Sequence, residues 1–305
     1  MMNTKTLWVL LLAPLALLNL PAQAALRVLA CEPEWGALAQ ELGGSLVEVS
    51  VATSALQDPH QIQAKPSLIA RARNADLLVC TGAELEVGWL PILLQQSGNA
   101  RVQAGQSGNF AAADFVRKLD VPTQLDRAQG DVHAAGNPHI QTDPRNIAQV
   151  ANALGARLAQ IDAAHAAQYA QRLADFSQRW QQAMVRWNAQ AAPLRGTAVV
   201  SQHKAFVYLY DWLALKEVAV LEPKPGVEPT ASHLQSVLTT LKNTPARMTL
   251  YAAYQDPKPA EWLGKNAGVP AVKITFTVGG TDGAKDLFGL FDDTLARLLA
   301  AGGKR

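Results

Sequence analysis

From Leu26 onward, short apolar runs alternate with amphipathic stretches, and the rhythm is interrupted only once. LRVLAC (26–31) reads as a strand and EWGALAQELGG (34–44) as a helix closed by a glycine cap. LVEVSVAT (46–53) reads as a second strand, PSLIARARNA (66–75) as a helix, DLLVCTG (76–82) as a strand and EVGWLPILLQQSG (86–98) as a helix. From Pro144 to Ala192 no strand pattern occurs, only NIAQVANALGARLAQI and then AAHAAQYAQRLADFSQRWQQAMVRWNAQAA. At 1.5 Å per residue the second piece predicts a helix roughly 45 Å long. Its Tyr169, Leu173, Phe176, Trp180, Met184 and Trp187 recur at three- and four-residue steps, a stripe that faces protein. Beyond Pro193 strand and helix alternate again through TAVVSQ, AFVYLYDWLAL, EVAVLE, TASHLQSVLTTLKN with Thr230 as N-cap, MTLYAA, KPAEWLGKNAG, AVKITF and AKDLFGLFDDTLARLLAA.

Strands this short and this apolar are covered on both faces, which points to parallel sheets. The predicted architecture is α/β: two βα lobes with parallel sheets joined by one long rigid helix. The lobes are expected at 25–145 and 194–305, with the helical segment at 146–193 between them. A ligand of such a fold sits in the cleft between lobes, at the carboxyl ends of the strands.

The first residues set the compartment. Lys5 precedes the apolar stretch Leu7 to Leu20, and Pro21-Ala22-Gln23-Ala24 supplies a small-x-small processing pattern. Residues 1–24 are therefore expected to be a cleaved signal peptide, directing a soluble protein to the periplasm; the apolar run is shorter than the roughly 20 residues of a spanning helix. Charge excludes other classes. The whole chain has 27 basic and 25 acidic residues, and loss of Lys5 leaves it still closer to neutral. The bases are scattered, so neither nucleic acid nor an anionic membrane is an expected partner. Cys31 and Cys80 are the only two cysteines, each closing an apolar strand. In an oxidising compartment they are either a disulfide between neighbouring strand ends or two buried thiols.

Six histidines narrow the search for chemistry. His60 lies in a loop after a strand, His139 just before the helical segment and His203 just past a strand, all positions that face the cleft. His165 and His233 fall within helices and are expected at the surface, and His133 lies in a Gly/Ala-rich loop. Three imidazoles from distant segments suit a borderline ion such as zinc. No dense signature such as HExxH accompanies them, and no nucleophile is paired with a base.

DPHQIQAKPS, ADLLVCTGAELEVGWL, GNPHIQTDP, HKAFVYLYDWLAL and VEPTASHL, in this order, resemble the periplasmic zinc and manganese solute-binding proteins of bacterial ABC importers. Those proteins carry DPHxYxPxPS, DPHxWLDP and HxAFxYxxxxYGL. The likeness covers essentially the whole chain after the leader. It implies two lobes, one connecting helix and a metal between them, with His60, His139 and His203 as ligands. Histidine at the third position, where manganese receptors tend to carry glutamate, implies zinc as the transported ion. Asn137, Gln141 and Thr142 depart from the second motif, while Asp143-Pro144 is kept. The family's fourth ligand, an aspartate after the last strand, has no direct counterpart in FTVGGTDGAKD. Asp282 is the expected replacement, with Asp286 or a water as alternatives; Asp286 is otherwise read as the cap of the closing helix.

Family members often have a histidine-rich loop before the second ligand. Here His133 alone would supply an accessory metal contact. The resemblance implies a receptor that is not an enzyme, a monomer that delivers Zn2+ to a cognate permease in the inner membrane, and it leaves a place for a periplasmic metallochaperone. The rivals are the same role for manganese or another divalent ion, a zinc hydrolase using Asp282 or Glu84 as base, and a surface adhesin.

Overall fold

The computed structural model describes residues 24–123, 130 and 132–302, so the predicted leader, up to Gln23, lies outside the described residues. Two four-stranded sheets form the frame. The first orders its strands β2-β1-β3-β4, from β1 (Leu26–Ala30), β2 (Val47–Val51), β3 (Leu77–Cys80) and β4 (Asn109–Ala111). The second repeats that order as β6-β5-β7-β8, from β5 (Ala198–Ser201), β6 (Lys216–Val220), β7 (Met248–Ala252) and β8 (Ala271–Ile274). Every pairing is parallel. Helices α1 (Pro33–Gly43), α2 (Pro66–Asn74) and α3 (Leu90–Ser97) belong to the first lobe; α6 (Val207–Leu213), α7 (Ala231–Asn243), α8 (Lys258–Ala267) and α9 (Leu287–Gly302) follow in the second.

Most predicted elements appear within a few residues of their expected bounds, and the differences have local causes. The short strand β4 escapes the pattern because Phe110 is its only buried apolar side chain. The helix read from Glu86 starts at Leu90 instead: Gly82, Ala83 and Glu84 take positive φ of 77°, 49° and 67°, and the chain continues in turns up to Trp89. Asp143 accepts the Arg145 amide at 2.8 Å and caps α4 (Pro144–Ile161).

The long helix α5 (Ala166–Gln190) has 25 residues, preceded by a 3-10 turn, Ala163–His165, that takes the first residues of the predicted piece. It buries Tyr169, Phe176, Trp180 and Trp187, while Leu173 and Met184 are half-buried at the edge of the stripe. Trp180 packs edge-on against Trp187 and Phe291, with ring centroids 5.1 and 5.5 Å apart, and donates its indole N–H to Pro144 O at 2.9 Å. The stripe thus joins α1 and α4 on one side to α9 on the other. One apolar cluster runs through it and contains residues of both sheets. Two smaller clusters fill the outer layers under α2 and α3 and under α7 and α8.

Cys31 and Cys80 are joined in a disulfide with Cα atoms 4.7 Å apart. The register makes this natural: Ala30 pairs with Val79, and Cys31 donates its amide to Val79 O, so the two cysteines leave neighbouring strands at the same level. His165 and His233, expected at the surface, are half-buried and engaged. His165 Nδ1 meets Asp162 at 2.8 Å and His233 Nε2 meets Val220 O at 2.9 Å, because both stand at helix starts that fold back on a neighbouring segment.

Candidate metal centre

Both sheets reverse their winding at the central strands, β1/β3 and β5/β7, and in such sheets the crevice opens outside the carboxyl ends of those strands. The histidines lie on loops at this end of the sheets, His60 after β2, His139 between β4 and α4, and His203 after β5. Pro59 stiffens the first loop, and its carbonyl accepts the indole N–H of buried Trp89 at 2.8 Å. His60 is held at two points by Asp58 Oδ1, which accepts its backbone amide at 3.0 Å and its Nδ1–H at 2.7 Å. His203, two residues past β5, donates Nδ1–H to Glu222 Oε2 at 2.6 Å, and the same oxygen accepts Gly226 N at 2.9 Å. A carboxylate only accepts, so in the neutral ring each of these contacts places the proton on Nδ1 and the lone pair on Nε2.

His139 is 1% exposed and sits edge-on to Phe276, centroids 5.2 Å apart. Asn137 Oδ1 accepts its amide at 3.0 Å and Thr142 Oγ1 donates to its carbonyl at 2.9 Å. The departures from the expected motif are therefore used. Asn137 Nδ2 also reaches Lys204 O at 2.8 Å, and Tyr208 Oη donates to Asn137 O at 2.7 Å, tying the His139 loop to the other lobe.

The three imidazoles converge. The pairs His60/His139, His60/His203 and His139/His203 have centroids 5.3, 5.8 and 5.6 Å apart, each near perpendicular, and one nitrogen from each lies within 4.8 Å of the others. Nε2 of His60 and Nδ1 of His139 are buried without a hydrogen-bond partner. Orphaned buried nitrogens are costly unless something donates to them or coordinates them. Tetrahedral zinc with bonds of about 2.0–2.1 Å would draw such nitrogens to roughly 3.4 Å apart, within reach of side-chain rotation. Burial first, then the neighbouring His60, His203 and His133, hold the His139 imidazole well below its ordinary value. It is a neutral base, the form that ligates metal. Burial pushes the Asp58 carboxyl up, but the hydrogen bond and charge of His60 outweigh it and leave Asp58 below its usual range, an anion.

His133 stacks on His60, centroids 5.3 Å apart and planes 26° apart, outside the convergent trio. Burial, then the His60 and His203 charges, push it down to about 4. It shares an open cavity with Asn137, His139, His203 and Lys204. Glu84 Oε2 accepts the Ala134 amide and so pins this loop, a structural engagement that removes it from the role of a free base.

The structure does not bring Asp282 to the histidines. It is exposed and lies outside the group of mutually close ligand atoms. The turn that carries it folds back onto α9: Thr281 Oγ1 donates to Asp293 at 2.6 Å, and Gly279 N reaches Ala284 O at 2.7 Å. Asp286 accepts Gly289 N at 2.7 Å and caps α9. Sequence reasoning missed Asp58 and Glu222 as partners of the rings. An acid two residues before a histidine was the available sign for the first, and none was local enough for the second.

Comparison with known proteins fits this geometry. The chain is 24% identical over 289 residues to the high-affinity zinc uptake system protein ZnuA of Paracoccus denitrificans, covering 81% of this chain and 82% of that one. It is 22% identical over 244 residues to the manganese ABC transporter substrate-binding lipoprotein PsaA of Streptococcus pneumoniae, covering 79% of this chain and 76% of that protein. Its fold is similar to a crystal structure of ZnuA, with a TM-score of 0.74 at 20% identity over 90% of this chain and all of that one. The profile of the periplasmic zinc-uptake complex component A, ZnuA, matches residues 28–301, and the chain belongs to that family of metal-binding receptors of ABC importers.

Proposed function

We propose that this protein captures Zn2+ in the periplasm and hands it to a permease in the inner membrane, as a monomer. His60 and His203 bind through Nε2, and His139 completes the trio through its unpartnered nitrogen. Asp58 and Glu222 keep the first two rings in the ligating tautomer and raise their basicity. Water fills the fourth position, as in other sites with three protein ligands. An all-imidazole set suits zinc better than manganese, which favours carboxylate oxygen. The observation that carries this reading is the pair of buried nitrogens, on His60 and His139, that have no other partner.

The ligands span the lobes: His60 and His139 precede α4, and His203 follows β5. Cargo therefore bridges the cleft, and the loops it orders are what a permease senses. Ligating imidazoles must be neutral, so affinity falls as pH drops through the histidine range near 6.5. Elemental analysis of protein isolated from periplasm, with calorimetric competition between Zn2+ and Mn2+, tests the assignment. One equivalent of zinc is expected, absent in His203→Ala. Preferential retention of manganese would establish the alternative suggested by the PsaA relative.

A further inference from the structure

Three glutamates that the histidine site does not use are buried where the lobes meet. Glu32 and Glu34 flank Pro33 at the start of α1, and Glu86 follows the left-handed turn after β3; they are 3%, 1% and 2% exposed. Glu86 Oε1 accepts Thr81 N at 2.7 Å and its Oε2 accepts Gly82 N at 3.1 Å. Glu32 Oε2 accepts Thr81 Oγ1 at 3.0 Å and leans on the same Thr81 N at 3.3 Å. Two carboxyl groups thus meet at a single amide hydrogen. Glu32 Oε1 is buried with no partner. Glu34 accepts the hydroxyl of Thr277, which comes from the opposite lobe.

A small pocket beside Glu32 and Glu34 is lined by those two on one side and by Tyr254, Phe276 and Thr277 on the other. The elements around it add few charges. The loop after β2 contributes Thr53, Ser54 and Gln57, the turn before α4 contributes Gln141, and the segment after β7 contributes the Tyr254 phenol. No lining residue is basic. Two full negative charges sharing one N–H without a cation are strongly disfavoured, whereas a hydrogen on the idle Glu32 Oε1, donated to Glu86, gives every oxygen a role.

We infer that Glu32 and Glu86 bind one proton between them at neutral pH, a buried proton site in the first lobe that, beside Glu34, makes the fold more stable in acid than in base. The electrostatics agree. Burial pushes Glu34 and Glu86 up to about 7, and burial with the charge of Glu86 raises Glu32 well above its ordinary value. A carboxyl raised on folding stabilises the fold fully below its ordinary value, and that contribution is lost as pH rises through the raised one. That contribution therefore falls away from about pH 5 to beyond pH 7. This does not depend on which ion, if any, the histidines carry.

The test uses metal-free full-length protein. Melting temperature is followed from about pH 6 to about pH 8.5 for the wild type, Glu32→Gln and Glu34→Gln, the amides standing in for the neutral acids. The wild type is expected to lose roughly 3–6 °C more than either variant over that range. Parallel curves would overturn the inference. Infrared spectra of the wild type at neutral pH supply a readout independent of whether the variants fold. A protonated-carboxyl stretch that shifts on deuteration supports the site, and its absence overturns it.

Discussion

The cleft holds two buried polar clusters, three imidazoles on one stretch and three carboxyls on another, and the protein handles them in opposite ways. The imidazoles at His60 and His203 are each backed by a carboxylate that accepts from Nδ1 and turns the other nitrogen toward its neighbours. The glutamates are buried beside one another with no cation, and burial with their mutual charge raises them against the amide and hydroxyl donors, which favour the ionised form. One cluster offers nitrogens to a cation; the other holds hydrogen and accepts none. Burial disfavours the charged form in both, which leaves the His139 base without an added proton and the glutamates with one.

The largest expected effect comes from removing a ring. His139→Ala should weaken zinc binding by about 3 kcal/mol, a fourth part of the ~10–16 kcal/mol of a structural zinc site, measured by competition with a chelator. An unchanged affinity would dissolve the contrast between the clusters. Next comes the covalent tie beneath them. Cys31→Ser with Cys80→Ser opens a link between residues 49 apart and should cost about 2–4 kcal/mol of stability, read by urea unfolding. Zinc stoichiometry should stay intact.

Taking away a backing acid gives a smaller change that sharpens the comparison. Asp58→Asn or Glu222→Gln should weaken zinc roughly 10–100-fold while leaving one equivalent bound. Neither should alter the carboxyl band of the other cluster. Acid acts on His139 with the sign opposite to that at the glutamates. His139 is held well below its ordinary value, so the metal-free protein keeps that contribution above about pH 6.5 and loses it below. His139→Gln should flatten melting temperature on the acid side only. The smallest effect belongs to Asp282→Ala, for which zinc affinity should stay within about twofold, as expected for an exposed side chain outside the trio. A loss beyond tenfold would mean that the turn reaches the site.

Much of this frame was legible in the chain because it rests on periodic burial. The stripe of α5 and the apolar strand cores announce themselves at fixed spacing, and Cys31 and Cys80 end strands that the register sets side by side. His60, His139 and His203 could be singled out because each follows a strand or precedes a helix at the cleft. What stayed hidden depended on pairings between distant segments. Glu222 meets His203 only because β6 lies beside β5, and Asp282 turns away because Thr281 finds Asp293 on α9. The acid seam was invisible for the same reason: Glu32 and Glu86 look like ordinary surface residues until Thr81 brings them together.

Trp180 and Trp187 stand in the same uninterrupted apolar body as Val28 and Leu77 from one sheet and Val199 and Leu250 from the other. Neither half owns a finished interior without α5 and the closing helix. Heating should therefore melt the two halves as one cooperative unit, with a single endotherm in place of two. A molecule joined in this way cannot swing open like a jaw without exposing that shared body.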